Sequence, residues 1–418
     1  MATRQTRAGI ISNSAAVLAF LLPALVFVGH AGAQPVAYQG ATLITGDGSA
    51  PIENSLFVVE DGRFSTVGSM SATTIPAGIE TVDLTGKTVM PAIIDAHVHL
   101  GTTRDALITD LKKRAYYGIA AAVSLGADGP GSAIEVRGEV IPGAALYRTA
   151  GWGISGPEPG RNEVHWVTTP AEGRAAVRAE ADRGVDVIKI WVDDRNGQYE
   201  KLAPDIYRAV IDEAHERDLR VTAHIFALED AKGLLRSGID LFAHGVRDQD
   251  IDDEFVMMVR ERPWVILVPN LPGRGVPTDL RWLRGTMPRD ELRQIEATNV
   301  DRPEIRAAFG IQARNLDRLS RSGMKIAFGT DGNTPWGPHV EMEDMVAAGM
   351  SPAEVIVAAT RVAAEAAGLE RMGSVESGNS ADFVVLSANP LDDITNTRRI
   401  DSVYLRGDAV DRSGMAGE

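Results

Sequence analysis

Four histidines and one aspartate lie where short apolar stretches of the sequence end. His97 and His99 are two residues apart in one such stretch, and residues i and i+2 of a β-strand face the same side. His224, His244 and Asp331 each end a stretch of the same kind later in the chain. Because imidazole and carboxylate ligands on convergent elements favour zinc-like divalent ions, these five residues predict a metal site.

The apolar stretches that carry these residues are predicted to be β-strands separated by helices. The predicted strands are residues 89–100, 119–125, 145–149, 185–192, 219–225, 239–244, 264–269 and 324–330. Thr169 and Ser351 each precede a proline and have a glutamate three residues later, which predicts a capping box at a helix N-terminus. Strands that alternate with helices in this way predict an α/β fold, a (β/α)8 barrel, whose C-terminal strand ends carry the active site.

The two ends of the chain have a different pattern from the central part. Before residue 90 the chain is rich in turns between Val, Leu and Ile runs, and similar β-runs follow residue 380. The sequence therefore predicts one small β-domain, built from residues 34–90 and 371–418, beside a barrel of residues 91–370. Residues 270–297 are long for a single loop, and their Pro, Gly and Arg content predicts a lid or an inserted helical segment.

Residues 1–33 have the features of a secretory signal peptide. Arg4 and Arg7 precede an apolar stretch at residues 15–28, and the small residues 31–33 follow it as a cleavage site. The apolar stretch is short for a membrane span, so cleavage is favoured over the alternative of an uncleaved anchor. We expect an exported protein, periplasmic or secreted, with no membrane attachment after cleavage.

The composition restricts both the chemistry and the partners of the chain. Its 418 residues include no cysteine, which excludes disulfides, thiolate nucleophiles and cysteine-ligated metals. A formal net charge of −15 without basic blocks argues against nucleic acid and anionic membranes as partners. We therefore expect a small-molecule substrate, and the sequence leaves room for a homo-oligomer.

Motifs spread along nearly the whole chain follow one family pattern. They occupy residues 89–100, 186–190, 222–224, 242–245, 329–331, 378–382 and 389–391. Together they resemble the metal-dependent amidohydrolase superfamily, and within it most of all the imidazolonepropionase-like and prolidase-like branch. The resemblance implies a distorted (β/α)8 TIM barrel with a small β-sandwich domain formed by both termini, in agreement with the order of predicted strands and helices.

The resemblance also implies a set of metal ligands. The implied ligands are His97, His99 and Asp331 for a first ion, His224 and His244 for a second ion, and Lys189 as a bridge in the form of a CO₂-derived carbamate. Lys189 lies in an apolar strand, which favours the neutral amine that reacts with CO₂. The alternative is an unmodified lysine paired with an acid. The expected cofactor is a divalent metal, one or two ions of Zn²⁺.

Catalytic roles follow from the same resemblance. Asp331 would take the proton of a metal-activated hydroxide and deliver it to the leaving amine. If only one ion is bound, His244 or His224 would polarise the carbonyl or shuttle protons. Asp95 shares the strand face of His97 one pleat deeper, so it is expected to orient a ligand or to satisfy the core.

This ligand set favours an enzyme over other classes of protein. The expected function is a secreted hydrolase of a C–N amide bond, in a dipeptide, an N-acyl amino acid or an amide xenobiotic. A lactonase, an esterase or an organophosphate hydrolase is the alternative, because the same binuclear centre attacks C=O and P=O groups. A deaminase usually needs one metal and a glutamate acid. A non-catalytic binding protein on this scaffold is disfavoured because the ligand set is complete.

Aromatic and basic residues that follow the predicted strands are expected to contact the substrate. The candidates are Trp152, His165, Trp191, Arg195, Trp336 and His339, with Arg161, Arg274 and Arg284 in the same loops. The tryptophans predict an aromatic-walled pocket, and an arginine there would bind a carboxylate. For Trp191 the alternative is barrel packing. For His165 and His339 it is a structural role in their loops.

Overall fold

The computed structural model describes residues 34–75, 77–129 and 131–413. The predicted signal peptide, residues 1–33, lies outside the described residues, so export stays a prediction. Within the described ranges, no helix combines the length and the apolar character that crossing a membrane requires.

The described chain consists of short strands and helices. The strands are β1 (Val36–Gln39), β2 (Thr42–Leu43), β3 (Ser55–Glu60), β4 (Arg63–Ser69), β5 (Glu80–Asp83), β6 (Thr88–Pro91), β7 (Ile93–Val98), β8 (Ile119–Ser124), β9 (Leu146–Thr149), β10 (Ile154–Ser155), β11 (His165–Trp166), β12 (Ile188–Val192), β13 (Val221–Ile225), β14 (Leu241–Ala243), β15 (Ile266–Val268), β16 (Lys325–Ile326), β17 (Phe383–Leu386), β18 (Ile400–Leu405) and β19 (Asp408–Ala409). The α-helices are α1 (Arg104–Tyr116), α2 (Ser132–Val136), α3 (Pro170–Arg183), α4 (Pro204–His215), α5 (Leu228–Arg236), α6 (Asp253–Arg260), α7 (Arg289–Thr298), α8 (Pro303–Arg321), α9 (Pro338–Ala347), α10 (Pro352–Val357) and α11 (Ala363–Ala367). Two 3-10 helices, Arg281–Leu283 and Ile394–Arg398, and a π-helical turn, Ala358–Val362, complete the description.

Parallel strands linked by helices form the central part of the chain. One sheet has the order β7-β8-β9 and another the order β11-β10-β12-β13-β14-β15-β16, and the neighbours in both are parallel. Each predicted barrel strand region contains one of these parallel strands. Strands such as β12 and β13 are buried along their whole length, as expected for parallel strands covered on both faces. The predicted α/β class is confirmed, whereas closure of the two sheets into one barrel stays a prediction.

The predicted strand at residues 89–100 is divided between two sheets. Its first part, β6, pairs antiparallel with β17, and its second part, β7, pairs parallel with β8. Successive amides turn in different directions at this point: Ala92 N donates to Asp382 O (3.0 Å) and Ile93 N donates to Gly118 O (2.9 Å). One chain segment therefore passes directly from the sheet that contains β17 into the parallel sheet β7-β8-β9, which carries His97.

Strands from both ends of the described chain share one sheet. Its order is β19-β18-β17-β6-β2, and a separate sheet has the order β4-β3-β1-β5. Aromatic rings from the two sheets pack together, with the Tyr38 ring centroid 5.0 Å from Phe57 and 5.2 Å from Phe383. The domain boundaries, residues 34–90 and 371–418, and the arrangement of these two sheets as a β-sandwich stay predictions.

The helix starts follow the local sequence signals. Thr169 and Ser351 form the predicted capping boxes of α3 and α10, each with a proline in the first turn. The long segment after β15 contains the 3-10 helix Arg281–Leu283 and the start of α7, so the inserted helical segment is present. Its function as a lid stays a prediction.

Candidate metal centre

Five of the six proposed ligands lie at or just after the C-terminal ends of the parallel strands, and Lys189 is the second residue of its strand. His97 is the last residue but one of β7, and His99 directly follows that strand. Lys189 and His224 lie in neighbouring strands β12 and β13. His244 follows β14 directly, whereas Asp331 comes five residues after β16, because residues 327–330 of the predicted last strand are irregular.

The carboxylate of Asp331 contacts three imidazoles. Its Oδ1 atom lies 3.1 Å from the Nε2 atoms of both His97 and His99, and its Oδ2 atom lies 3.5 Å from His244 Nε2. One ligand atom each of His97, His244 and Asp331 lie within 4.8 Å of one another. This is the spacing of side chains that hold one small ion.

Two of these ligands have an unusual backbone conformation. The φ angles of His244 and Asp331 are +75° and +54°, a left-handed region that side chains other than glycine rarely adopt. Hydrogen bonds hold both residues there: His244 N donates to Val268 O (2.9 Å) and Asp331 N donates to His97 O (2.7 Å). Such strain, about 1–3 kcal/mol per residue, is typical of functional sites.

Burial keeps the imidazoles of His97, His224 and His244 neutral. Desolvation lowers the pKa of His97 to about 4 and that of His224 to about 3, and it holds the pKa of His244 well below its usual range. Burial of Asp331 opposes ionisation, but its electrostatic interaction with the surrounding histidines, His97 first, holds the Asp331 pKa far below its usual range. Neutral imidazoles beside an ionised carboxylate are the protonation states that a divalent cation requires.

Lys189 has a buried amine without a hydrogen-bond partner among the described residues. The residue is 1% exposed, and no carboxylate of the described chain lies within ion-pair distance of its Nζ atom. Burial lowers its pKa to about 7. An unpaired buried amine is costly as an ammonium ion, so this environment suits a neutral amine or an anionic carbamate ligand better than the ion-paired lysine of the alternative hypothesis.

His224 lies beside His244 and contacts two charged residues that sequence reasoning missed. The ring centroids of His224 and His244 are 4.6 Å apart. The Nε2 atom of His224 lies 3.1 Å from Asp193 Oδ2 and 2.9 Å from Arg247 Nη2. Both charged residues follow strand ends by a few positions, which is the only signal of them in the sequence.

His97 is oriented by Asn270, a third residue that the sequence pattern did not indicate. His97 Nδ1 lies 2.9 Å from Asn270 Oδ1, so the ring donates its Nδ1 proton and keeps the Nε2 lone pair, on the side of Asp331, free for a metal ion. Asn270 lies two residues after β15 and has a φ of +45°. The sequence therefore indicated its position after a strand, but not its contact with His97.

We expect the variant Asn270→Ala to bind metal about 10–100-fold more weakly, because the His97 tautomer is no longer fixed. Competition with a chelator of known affinity measures this change. The urea midpoint of the metal-free variant is the control for stability. Unchanged metal affinity would show that the amide has no orienting role.

Hydrogen bonds fix the backbone on both sides of Asp331. Asp95 accepts hydrogen bonds from Thr330 N (3.0 Å) and Thr330 Oγ1 (2.7 Å), and its own carboxyl is fully buried. The buried Arg114 donates to the carbonyl oxygens of Gly332 (2.9 Å) and Asn333 (3.3 Å). Asp95 therefore orients the segment before the ligand, in line with its expected supporting role.

The predicted substrate contacts Trp191 and Arg195 lie beside the centre. Trp191 is 5% exposed, and a Cβ atom added at Gly153 would lie 2.5 Å from its ring, so its indole packs tightly within the central sheets. Arg161 stacks over that ring at 3.8 Å. Arg195 donates to Asp193 (2.9 Å) and Glu158 (3.2 Å). Contact of either predicted residue with substrate stays a prediction.

Trp152, in the loop after β9, and His165, the first residue of β11, form a separate cluster. Their ring centroids are 5.2 Å apart, and His165 Nε2 lies 2.5 Å from Glu180 Oε1 of α3. Trp336 lies five residues beyond Asp331, in a loop that packs on Trp282 of the inserted segment. Contact of these three residues with substrate stays a prediction.

His339 is held away from the other histidines in a buried structural network. Its Nδ1 atom lies 3.0 Å from Thr397 Oγ1, and its Nε2 atom lies 3.0 Å from Tyr117 O. His339 is the second residue of α9, and its side chain is buried against the end of α1 and the 3-10 helix Ile394–Arg398. This environment matches the alternative of a structural histidine.

Burial lowers the pKa of His339 from 6.5 to about 4. The unfolded chain takes up the proton near pH 6.5 and the folded chain only near pH 4, so stability is complete above pH 6.5 and declines as the pH falls to 4. We expect His339→Gln to lose less stability than the wild type between pH 7 and pH 5, by about 2 kcal/mol. Urea unfolding of the metal-free proteins at both pH values measures it, and equal losses would contradict the assignment.

Comparisons with known proteins agree with this geometry. The sequence profile described as Amidohydrolase family matches residues 88–410, more than half of the chain. The chain is 24% identical to ochratoxinase of Aspergillus niger, over 86% of this chain and 82% of that protein. It is 24% identical to imidazolonepropionase of Geobacillus thermodenitrificans, over 74% of this chain and 77% of that protein.

Several solved structures are similar in fold to this chain. A putative prolidase from Bifidobacterium longum has a TM-score of 0.75 and 29% identity, and the match covers 90% of this chain and 94% of that one. Molinate hydrolase has a TM-score of 0.74 and 22% identity, covering 92% of this chain and 96% of that one. The folds of these relatives are of the TIM-barrel type.

Proposed function

The chain belongs to the amidohydrolase family and is a hydrolase of carbon–nitrogen bonds, and we propose that it cleaves the amide bond of a small molecule at the centre around Asp331. The proposed substrates are a dipeptide, an N-acyl amino acid or an amide xenobiotic. The single observation that carries the proposal is the contact of the Asp331 carboxylate with His97, His99 and His244. Relatives named ochratoxinase, putative prolidase and molinate hydrolase support a small-molecule substrate without choosing among these classes.

The proposed cofactor is Zn²⁺, one or two ions. We assign His97, His99 and Asp331 to the first ion, His224 and His244 to the second, and the carbamate of Lys189 to the bridge between them. The neutral imidazoles and the unpaired buried amine of Lys189 support this assignment. The chemistry that such ions supply when bound is polarisation of the scissile carbonyl and a lowered pKa of water.

The proton transfers are assigned to Asp331. Its closest contacts with His97 and His99 are made by Oδ1 at 3.1 Å, and its closest contact with His244 is made by Oδ2 at 3.5 Å. Oδ2 is therefore the oxygen that takes a proton from the attacking water and returns it to the leaving nitrogen. The side chain is 36% exposed, so a substrate entering the mouth of the site reaches this oxygen.

Metal removal and a substrate screen test the proposed function. We expect the purified protein to contain one to two equivalents of divalent metal, to hydrolyse at least one class among dipeptides, N-acyl amino acids and aryl amides, and to lose that activity on chelation. Restored activity on addition of Zn²⁺ completes the test. Hydrolysis of lactones, esters or organophosphates alone would favour the alternative, and activity that survives complete metal removal would refute the mechanism.

We also propose that the two parallel sheets close into one distorted (β/α)8 barrel. Two hydrogen bonds across the seams support closure: Ala96 N donates to Phe328 O (2.9 Å), and Asp186 N donates to Thr149 O (2.9 Å). An isolated bridge between Val98 and Gly332 adds a further parallel contact at the first seam. Closure would bring all six proposed ligands to one rim.

A further inference from the structure

His224 receives one charged side chain from each of the two strands that flank its own. The strand β13, which carries His224, lies between β12 and β14 in the parallel sheet. Asp193 directly follows β12, and Arg247 lies four residues after β14. Both side chains reach the same ring atom, because His224 Nε2 is 3.1 Å from Asp193 Oδ2 and 2.9 Å from Arg247 Nη2. One nitrogen therefore has a hydrogen-bond acceptor on one side and a donor on the other.

This nitrogen of a neutral imidazole cannot serve both partners. If Nε2 carries the proton, it donates to the carboxylate of Asp193 and faces an N–H group of Arg247. If Nε2 carries the lone pair, it accepts from Arg247 and faces the oxygen lone pairs of Asp193. The side chains of His224 and Asp193 are only 11% and 10% exposed, so water has little access to relieve the unfavourable contact. The two neighbours therefore favour opposite tautomers of His224.

Only one of these tautomers suits an ion at the other ring nitrogen. The hydrogen-bond partners that the described chain supplies to the His224 ring are both at Nε2, which leaves Nδ1 to face an ion. A metal-ligating histidine typically donates its remaining N–H to a carboxylate or a carbonyl, which fixes the tautomer and makes the ligand more basic. Asp193 matches this role. Arg247 favours the tautomer whose Nδ1 carries a proton, and its positive charge repels a nearby cation.

The carboxylate of Asp193 is held in place independently of His224. Its Oδ1 atom accepts a hydrogen bond from Arg195 N (2.9 Å), and its Oδ2 atom accepts one from Arg195 Nη1 (2.9 Å). Arg195 has a left-handed backbone, with φ of +53°, and its Nε atom donates to Glu158 Oε1 (3.2 Å). The acceptor for the His224 proton is therefore preorganised by the loop after β12.

The guanidinium of Arg247 is also anchored by groups other than the His224 ring. Its Nη2 atom donates to Ile225 O (2.7 Å), and its backbone N donates to Phe226 O (2.9 Å). These bonds do not depend on which nitrogen of His224 carries the proton. Arg247 therefore stays beside the ring in either tautomer and remains a competitor for Nε2.

We propose that Asp193 and Arg247 set the affinity of the second ion in opposite directions. Asp193 is a positioning residue that fixes the His224 proton at Nε2 and raises the affinity, whereas Arg247 competes for that nitrogen and lowers it. The inference rests on the proposed assignment of His224 to a second ion and names the residues that adjust its occupancy. A purely structural role of both residues would weaken binding in both variants, so the sign of the Arg247 effect distinguishes the two explanations.

The first test measures zinc affinity without any substrate. The metal-free full chain is titrated with Zn²⁺, in the presence of bicarbonate, against a chelator of known affinity. We expect Asp193→Ala to weaken the second binding step by about 10–100-fold, Asp193→Asn to weaken it less because an acceptor oxygen remains, and Arg247→Met to strengthen it by about threefold or more. The first step should change less than about twofold in each variant.

Two control variants remove exposed charges that do not contact His224. Asp194 is next to Asp193 in sequence with its side chain 40% exposed, and Arg236 is 51% exposed at the end of α5. Asp194→Ala and Arg236→Met should leave both binding steps unchanged, and the urea midpoints of all metal-free variants report any loss of folding. An unchanged second step in Asp193→Ala, or an unchanged or weaker one in Arg247→Met, would overturn the proposal.

A second measurement separates failure of this inference from failure of the proposed function. Two-bond ¹H–¹⁵N NMR correlations of the metal-free protein report which nitrogen of His224 carries the proton, and His224→Gln identifies the signals. We expect Asp193→Ala to increase the Nδ1–H form and Arg247→Met to increase the Nε2–H form. A wild type that binds fewer than two ions would refute the second ion and any effect on its affinity, while these tautomer shifts would still be measurable. Equal tautomer populations in all three proteins would overturn the competition for Nε2 itself.

Discussion

Replacing Asp331 with asparagine is expected to lower kcat by about 10²–10⁴-fold or more while the fold persists. Asparagine has the same shape and tolerates the left-handed backbone found at this position, with φ of +54°. Its amide oxygen keeps the position of Oδ1 beside His97 and His99, where it would still be available as a weaker metal ligand. It has no basic carboxylate oxygen, so it cannot take the proton that Oδ2 is proposed to carry.

Metal analysis and a surface control make this result specific. Asp290→Asn makes the same replacement of a carboxylate by an amide at an exposed position of α7. This control variant should keep wild-type kcat and metal content. The metal content and urea midpoint of Asp331→Asn identify any part of the loss that comes from ligation or folding. Wild-type turnover in a metal-loaded Asp331→Asn protein would assign the proton transfers to another group.

Replacing Lys189 with alanine is expected to remove the bridging ligand and with it at least one ion, so that activity falls by about 100-fold or more. The truncated side chain leaves a buried space between β12 and its neighbours that a short carboxylate can enter. Acetate or propionate should therefore restore part of the metal content and part of the activity. An unmodified lysine would give no carboxylate dependence.

Two controls accompany this prediction. Lys201→Ala removes an exposed lysine that pairs with Asp230, and it should show neither the loss nor the response to carboxylates. Wild-type protein equilibrated with ¹³C-bicarbonate should give a carbamate carbon signal in NMR that is absent from Lys189→Ala. A Lys189→Ala protein with a full complement of metal, together with no carbamate signal in the wild type, would reject the bridge.

The fold was accessible from the sequence where local pattern and tertiary environment agree. The parallel strands are continuous apolar runs because both of their faces are buried, so the runs marked the strands and the helix caps marked several starts. The division of residues 89–100 between two sheets could not be predicted. It depends on hydrogen bonds to Asp382 and Gly118, which are distant in sequence. The short strands β10 and β11, two residues each, leave no periodic signal at all.

The candidate site divides in the same way. A histidine or aspartate at the end of a predicted strand can be found from that strand alone. Because the C-terminal ends of parallel strands meet at one edge, such residues can be predicted to lie together. Asn270, Asp193 and Arg247 were missed because their importance lies in contacts with His97 and His224 across the site. His339 illustrates the reverse: its loop position suggested substrate contact, but its partners Tyr117 and Thr397 are far away in sequence and bury it.

The passage of one segment from β6 into β7 has a consequence for biosynthesis. In the completed fold β6 pairs with β17, where Pro91 lies opposite Phe383, although the two residues are 292 positions apart in the sequence (383 − 91). On a ribosome, the strand that carries His97 is made early, but the partner that anchors its beginning emerges only near the end of translation. Pairing over such a separation forms slowly, because a long loop must close first. Maturation of the metal centre therefore waits for the C-terminal strands, and a nascent or prematurely terminated chain would have its ligands without their final support.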